Sequence, residues 1–249
     1  MTRHRISVAA ALVGLSLNEC TKPPSSSVTL FVTSSRPADR NIRLGPDTGM
    51  TIVLGKDTLF VQRVEAVVRD AEIAPSEAGD CAGNAEEDEA ACPQLSAGPL
   101  LLRVPLGTAP ESSLTVPVRP GRYTLLQFQI QMPDPKRDSA FVSAHPEFGQ
   151  ASIRFLGTFS QAGRRTAVSY ALPFNEREQL ELDPPLTVAK GGTARMTLRV
   201  DLTTWFQDAK RTALVDPASA APGQPHESLV RDNIRMSLNA YHDDTLSAP

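Results

Sequence analysis

The sequence predicts an all-β protein, an antiparallel β-sandwich with a C-terminal α-helix packed on it. Three observations lead there. The apolar runs alternate with period two, which gives each strand one buried face. The chain is punctuated by 21 Pro and 15 Gly, residues that stop strands and form turns. Near the end, residues 226–242 contain neither and carry a helical period instead. Sheets with one apolar face each must bury those faces against one another. Hydrophobic residues make up 41 % of the 249-residue chain, enough for a real core.

The chain opens on residues 1–20, where Arg3 and Arg5 precede the uncharged apolar stretch 6–17. That is the length and polarity of an export signal, too short to span a bilayer as a permanent helix. Residues 21–27 read as a tether, with two Pro and three Ser. One domain is expected over 28–242. Its first strand presents Val28, Leu30 and Val32 on one face, and a second presents Val64, Ala66 and Val68 against Arg63, Glu65 and Arg69. Leu100, Leu102, Val104 and Leu106 repeat the pattern, as do Leu114, Val116 and Val118. Pro105 and Pro117 mark these last two as edge strands, where a missing N–H costs nothing.

Arg119-Pro120-Gly121 is expected to make a type II turn into a strand that turns Leu126, Phe128, Ile130 and Met132 inward and Gln127, Gln129 and Gln131 outward. Residues 141–149 read as a loop. Strands at Ile153 and Phe155, at Val168, Tyr170 and Leu172, and at Met196, Leu198, Val200 and Leu202 follow, with Lys190-Gly191-Gly192-Thr193 as a hairpin. In 226–242, Val230, Ile234, Leu238 and Tyr241 share a helical face, while Ile234, Met236, Leu238 and Ala240 would share a strand face. Seventeen residues is long for a strand, so the expectation is a helix, followed by a tail over 243–249.

Composition narrows function by exclusion. A net charge of −3 leaves no basic excess for phosphates, so nucleic acid is not an expected partner. The chain has no GxSxG, P-loop, GxGxxG or HExxH motif, and a Ser, a His and an Asp occur in almost any sequence; a non-enzymatic protein is expected. Cys81 and Cys92 flank a Gly-containing acidic segment, and in an exported chain that pair reads as a disulfide rather than half of a zinc site. No cofactor is expected, although two groups suit a cation. Glu86, Glu87, Asp88 and Glu89 offer hard oxygen ligands for Ca²⁺, and His242 with Asp243 and Asp244 offers an imidazole–carboxylate set for Cu²⁺. On a helix, His226 and His242 would stand about 24 Å apart and could not share an ion. Trp205 and Phe206 are read mainly as core and rim packing.

Leu17 three residues before Cys20 resembles the lipobox of bacterial lipoproteins, although Asn18 and Glu19 stand where that box carries small residues. The resemblance implies acylation of Cys20. Together with the Pro120-Gly121-Arg122-Tyr123 turn, it makes the chain similar to β-sandwich lipoproteins of unknown function in bacterial envelopes. The turn is also similar to those of prealbumin-like domains, which implies an immunoglobulin- or prealbumin-like sandwich. Val200-Asp201-Leu202, Trp205-Phe206, Val215-Asp216-Pro217 and the stretch 227–234 resemble a recurring ending of envelope proteins, and a copper-binding periplasmic family has a comparable ending. The expectation is an exported protein of the cell envelope, periplasmic or outer-membrane-anchored. It is held to a membrane by lipid and binds or scaffolds envelope proteins or glycans, the alternative being a periplasmic Ca or Cu binder.

Overall fold

The computed structural model describes residues 26–34, 42–44, 49–75, 94–96, 98–107 and 109–242. In chain order the strands are β1 (Ser27–Thr33), β2 (Ile42–Leu44), β3 (Met50–Leu54), β4 (Asp57–Pro75), β5 (Gln94–Ser96), β6 (Leu100–Arg103), β7 (Glu111–Pro117) and β8 (Gly121–Ile130). After helix α1 (Ser139–Ala144) come β9 (Ile153–Gln161), β10 (Arg164–Leu172), β11 (Glu176–Val188), β12 (Thr193–Val200), helix α2 (Glu227–Met236) and β13 (Leu238–His242). Among the described residues they form two sheets. The smaller has the order β13-β12-β1-β7. The larger runs β10-β9-β4-β3-β2, with β5, β6 and β8 also on β4 and β11 on β8. The protein is therefore mostly β, as its alternation predicts. One pairing departs from the antiparallel expectation: β1 and β12 run parallel, Ser27 opposite Thr193 through Thr33 opposite Arg199.

The predicted inward sets of β1, β4, β9 and β12 are buried and belong to one apolar core fed by both sheets. Trp205 and Phe206 lie inside this core rather than on a rim. Phe206 meets Phe155 and Tyr170 edge-on, with ring centroids 5.2 and 5.4 Å away. Trp205 Nε1 donates to Ser237 Oγ at 2.9 Å.

The 19-residue strand β4 organises the larger sheet. Its buried apolar residues change phase twice: Leu59 and Val61, then Val64, Ala66 and Val68, then Ala71 and Ile73. Each change is a β-bulge. Pairing with β9 slips between Val61 and Arg63, and pairing with β8 slips between Arg69 and Glu72. One extra residue at each point keeps the apolar set facing the core while the strand bends. At the second bulge Asp70 takes φ +47°, a left-handed conformation that Asp tolerates better than most residues.

Several local expectations give way. Gly121 is not in the left-handed region, so the predicted type II turn does not form. Instead Tyr123 reaches back, and its hydroxyl donates to Arg119 O at 2.8 Å. Residues 190–193 do not form a hairpin, because β11 and β12 lie in different sheets. Gly191, with φ +72°, turns the chain between them, and Ser26 Oγ accepts from Gly191 N at 2.9 Å. Residues 141–149 are not plain loop, since they carry most of α1 and a 3-10 turn, Pro146–Phe148. Pro117 does close an edge strand, β7, whereas Pro105 lies beyond the end of β6. Met132 lies past the end of β8 and is exposed.

The seventeen-residue helix is corrected too. It ends at Met236, and the remaining residues form β13, antiparallel to β12. Ser237 is the break: its hydroxyl donates to Ile234 O at 2.6 Å while accepting the Trp205 indole N–H. Val230 and Ile234 serve the helical period, and Leu238 serves the period of two.

Gly157 tests the close approach of β4 and β9. A Cβ there would lie 2.2 Å from Phe60 O and 3.0 Å from the Phe155 ring. Gly157→Ala is expected to cost about 2–3 kcal/mol, since backbone must move. Gly98→Ala, where a Cβ meets nothing within 4 Å, should stay within about 0.5 kcal/mol. Urea denaturation of both variants checks the contrast.

Candidate binding groove

The handover along β4 leaves an opening. On one edge β3 pairs with β4 as far as Val61, and β6 takes over at Glu65. Between them Val104 N donates to Val64 O at 3.0 Å. A recess of about 530 Å³ sits there, bordered by Gly49, Gln62, Arg63, Glu65, Arg103 and Glu111. A second, of about 400 Å³, shares Arg103 and Glu111 and adds Val32, Leu101, Ser112 and His145. The two form one groove where β6 of the larger sheet faces β7 of the smaller. Both volumes fall within the range of small-ligand sites.

Glu65 anchors the groove floor. It is buried although the alternation predicts an outward position, and so is Arg69. The reason is the segment 134–149, which is fastened over the outer face of β4. Arg69 Nη1 donates to Asp138 Oδ2 at 2.5 Å, and both side chains are buried. Asp138 Oδ2 also accepts from Asp134 N at 2.8 Å. Farther along, Phe148 is fully buried, with the Arg154 guanidinium 5.6 Å from its ring centre. Asp134 accepts the N–H groups of Arg137 and Lys136, which hold its carboxyl below the ordinary range.

Charges alternate along the groove wall. Arg103 Nε donates to Glu65 Oε1 at 3.3 Å, and Arg154 Nη1 lies 3.9 Å from Glu65 Oε2 and 3.8 Å from Glu147 Oε1. His145 Nδ1 follows, 3.8 Å from Glu147 Oε1. Two arginines thus compensate one buried carboxylate, which a buried charge requires. The Arg103 side chain remains 74 % exposed. Arg63 and Glu111 line the same groove and have no ion-pair partner among the described residues. The wall therefore offers positive and negative recognition points side by side.

The residues singled out in the sequence lie elsewhere. Cys20, Cys81, Cys92, Glu86, Glu87, Asp88, Glu89, Asp243 and Asp244 are outside the described residues. His242 is described, and it sits buried on β13 opposite Met196 rather than at a helix end. Among the described residues no three His, Cys, Asp or Glu side chains gather as a metal site. His226 packs at the start of α2, its Nδ1 2.9 Å from Ser219 Oγ. That hydroxyl also donates to Asp216 O at 2.6 Å, so the pair fastens a turn. No described helix is long and apolar enough to cross a membrane. No protein-family model, curated protein or solved structure matches the chain.

Glu178 is a second buried acid, away from the groove. It pairs with Phe128, which places it on the core-facing side of β11. Burial pushes its carboxyl up to about 7, with Arg235 offsetting part of the rise and Glu176 adding to it.

Two predictions follow from these buried charges. Asp138→Ala is expected to cost about 3–5 kcal/mol, because Arg69 is left buried and uncompensated. The double variant Arg69→Met/Asp138→Leu should cost less than that single change, measured by a double-mutant cycle in urea. For Glu178 the folded carboxyl binds its proton more tightly than the unfolded one. Its stabilising contribution is therefore full below the ordinary value of 4.5 and is lost as pH rises through about 7. Glu178→Gln should remove this slope, gaining on the order of 2 kcal/mol on wild type between about pH 5 and about pH 8. Equal slopes in the two proteins would refute the assignment.

Proposed function

We propose that the chain is an exported, lipid-anchored protein of the cell envelope with a non-catalytic binding role. The finer fold reading proposed with it is an immunoglobulin- or prealbumin-like sandwich. The single observation that carries the binding role is the groove between β6 and β7, with Arg103 pinned at Nε by Glu65 while most of its side chain stays exposed. A guanidinium held at one nitrogen keeps its remaining donors in a fixed fork, which suits recognition of a polar partner. The Tyr123 hydroxyl bond to Arg119 O, four residues upstream, supports the sandwich reading, since such tyrosine corners recur in that architecture. Residues 1–20 support export, and Cys20 supports the anchor.

Expression of the full chain in a bacterial host tests this reading. The protein should fractionate with membranes, and its mature N-terminus should be an acylated Cys20 by mass spectrometry. Cys20→Ser should move it to the soluble fraction. A wild-type chain that stays wholly cytoplasmic with Met1 intact would overturn the proposal.

A further inference from the structure

We infer that the groove between β6 and β7 takes an extended peptide segment carrying one carboxylate and one cationic side chain. This rests on the binding role proposed above and names its ligand class. Among the described residues β6 pairs only with β4, and β7 only with β1. Each therefore has one edge that pairs with no strand among the described residues, and the groove is bordered by Leu101 and Arg103 from one and by Glu111 and Ser112 from the other. A row of backbone donors and acceptors on a strand edge is matched by another extended backbone.

The side chains select the charge. Glu65 is already compensated by Arg103 and Arg154. Arg63 and Glu111 are left, of opposite sign and on the same groove. A purely anionic ligand would meet Glu111, and a purely cationic one would meet Arg63 and Arg103. A segment carrying both signs is complementary to all three, and like-charge juxtaposition excludes the single-sign alternatives. A glycan fits less well. Sugar recognition favours a Trp, Tyr or Phe platform, and none of these is among the described residues bordering the groove, while Trp205 and Phe206 are buried in the core. The bulge opposite Leu30 and Phe31 and the closing Pro117 limit pairing along β7 to a short run. Affinity should accordingly be modest.

The test is fluorescence anisotropy on the purified mature protein with a labelled, end-blocked pentapeptide, Lys-Thr-Val-Thr-Glu. A dissociation constant of about 0.1–1 mM is expected. Replacing either charged residue of the probe by Gln should weaken binding about threefold or more, and methylating its alternate amide nitrogens should weaken it at least as much. Glu111→Lys and Arg63→Glu should each reproduce the loss with an unchanged thermal midpoint, both side chains being exposed. The inference is overturned by absence of binding up to about 5 mM. It is equally overturned by methylated probes that bind as well as the parent, by variants that bind normally, or by a chito-oligosaccharide that binds where the peptide does not. Membrane fractionation is read separately. A protein that fractionates as proposed but ignores the peptide overturns only this inference.

Discussion

The architecture depends on β4 serving two sets of neighbours along one unbroken backbone. Its first half lies between β3 and β9, its second between β6 and β8. A regular strand of that length would twist its apolar row away from the smaller sheet, and a slip of one residue would turn every later side chain to the wrong face. The two bulges resolve this by inserting one residue where β3 gives way to β6 along one edge and another where β6 gives way to β5. The core stays continuous from Leu59 to Ile73. The groove is the remainder of the same construction, because the outgoing and incoming edge strands do not meet beside Gln62 and Arg63. Fold and candidate site therefore share one cause.

The outer face of β4 carries a second constraint. Glu65, Val67 and Arg69 point away from the main core yet are buried. A sheet face covered on one side by a core and on the other by a short helical segment must satisfy its polar groups locally. Asp138 does this for Arg69 Nη1 and Arg103 for Glu65 Oε1, with Arg154 adding charge beside Glu65, while Arg69 Nε and Glu65 Oε2 have no hydrogen-bond partner among the described residues. Such pairs contribute little net stability, since desolvation offsets most of their attraction. Their effect is positional: they fix where the segment 134–149 lies, and so where His145 and Glu147 stand beside the groove.

Period two made β1, β9 and β12 readable residue by residue, because each has one core-facing row without interruption. It made β4 readable only in its middle, since a bulge resets the phase and a fixed period cannot follow it. β11 is not legible in the sequence for the same reason. Glu178 occupies a core-facing position, and the register slips between Glu181 and Leu186, around Pro184 and Pro185. The end of the chain was ambiguous because both periods are present there in succession, joined at Ser237. The groove was not legible at all. Glu65, Arg103 and Glu111 look like ordinary outward charges until tertiary pairing sets β6 against β7. Residues 134–149 carry no local signal that they will cover a sheet. What distinguished Glu65 from a solvated surface acid is burial by residues some 80 positions later, which no short window contains.

The direction of β1 sets where the groove stands relative to the start of the described chain. The proposed tether ends at Ser27, where β1 begins, and Val32, near the far end of the same strand, borders the groove. Five strand residues at about 3.3 Å each separate the two by roughly 17 Å. β7 is antiparallel to β1, so Glu111 lies beside Val32 and Pro117 beside Ser27. The groove residues of β7 therefore gather at the end away from the attachment point. The start of β1 and the groove therefore lie at opposite ends of the β1–β7 pair. Arg103 and Glu111 are both exposed there.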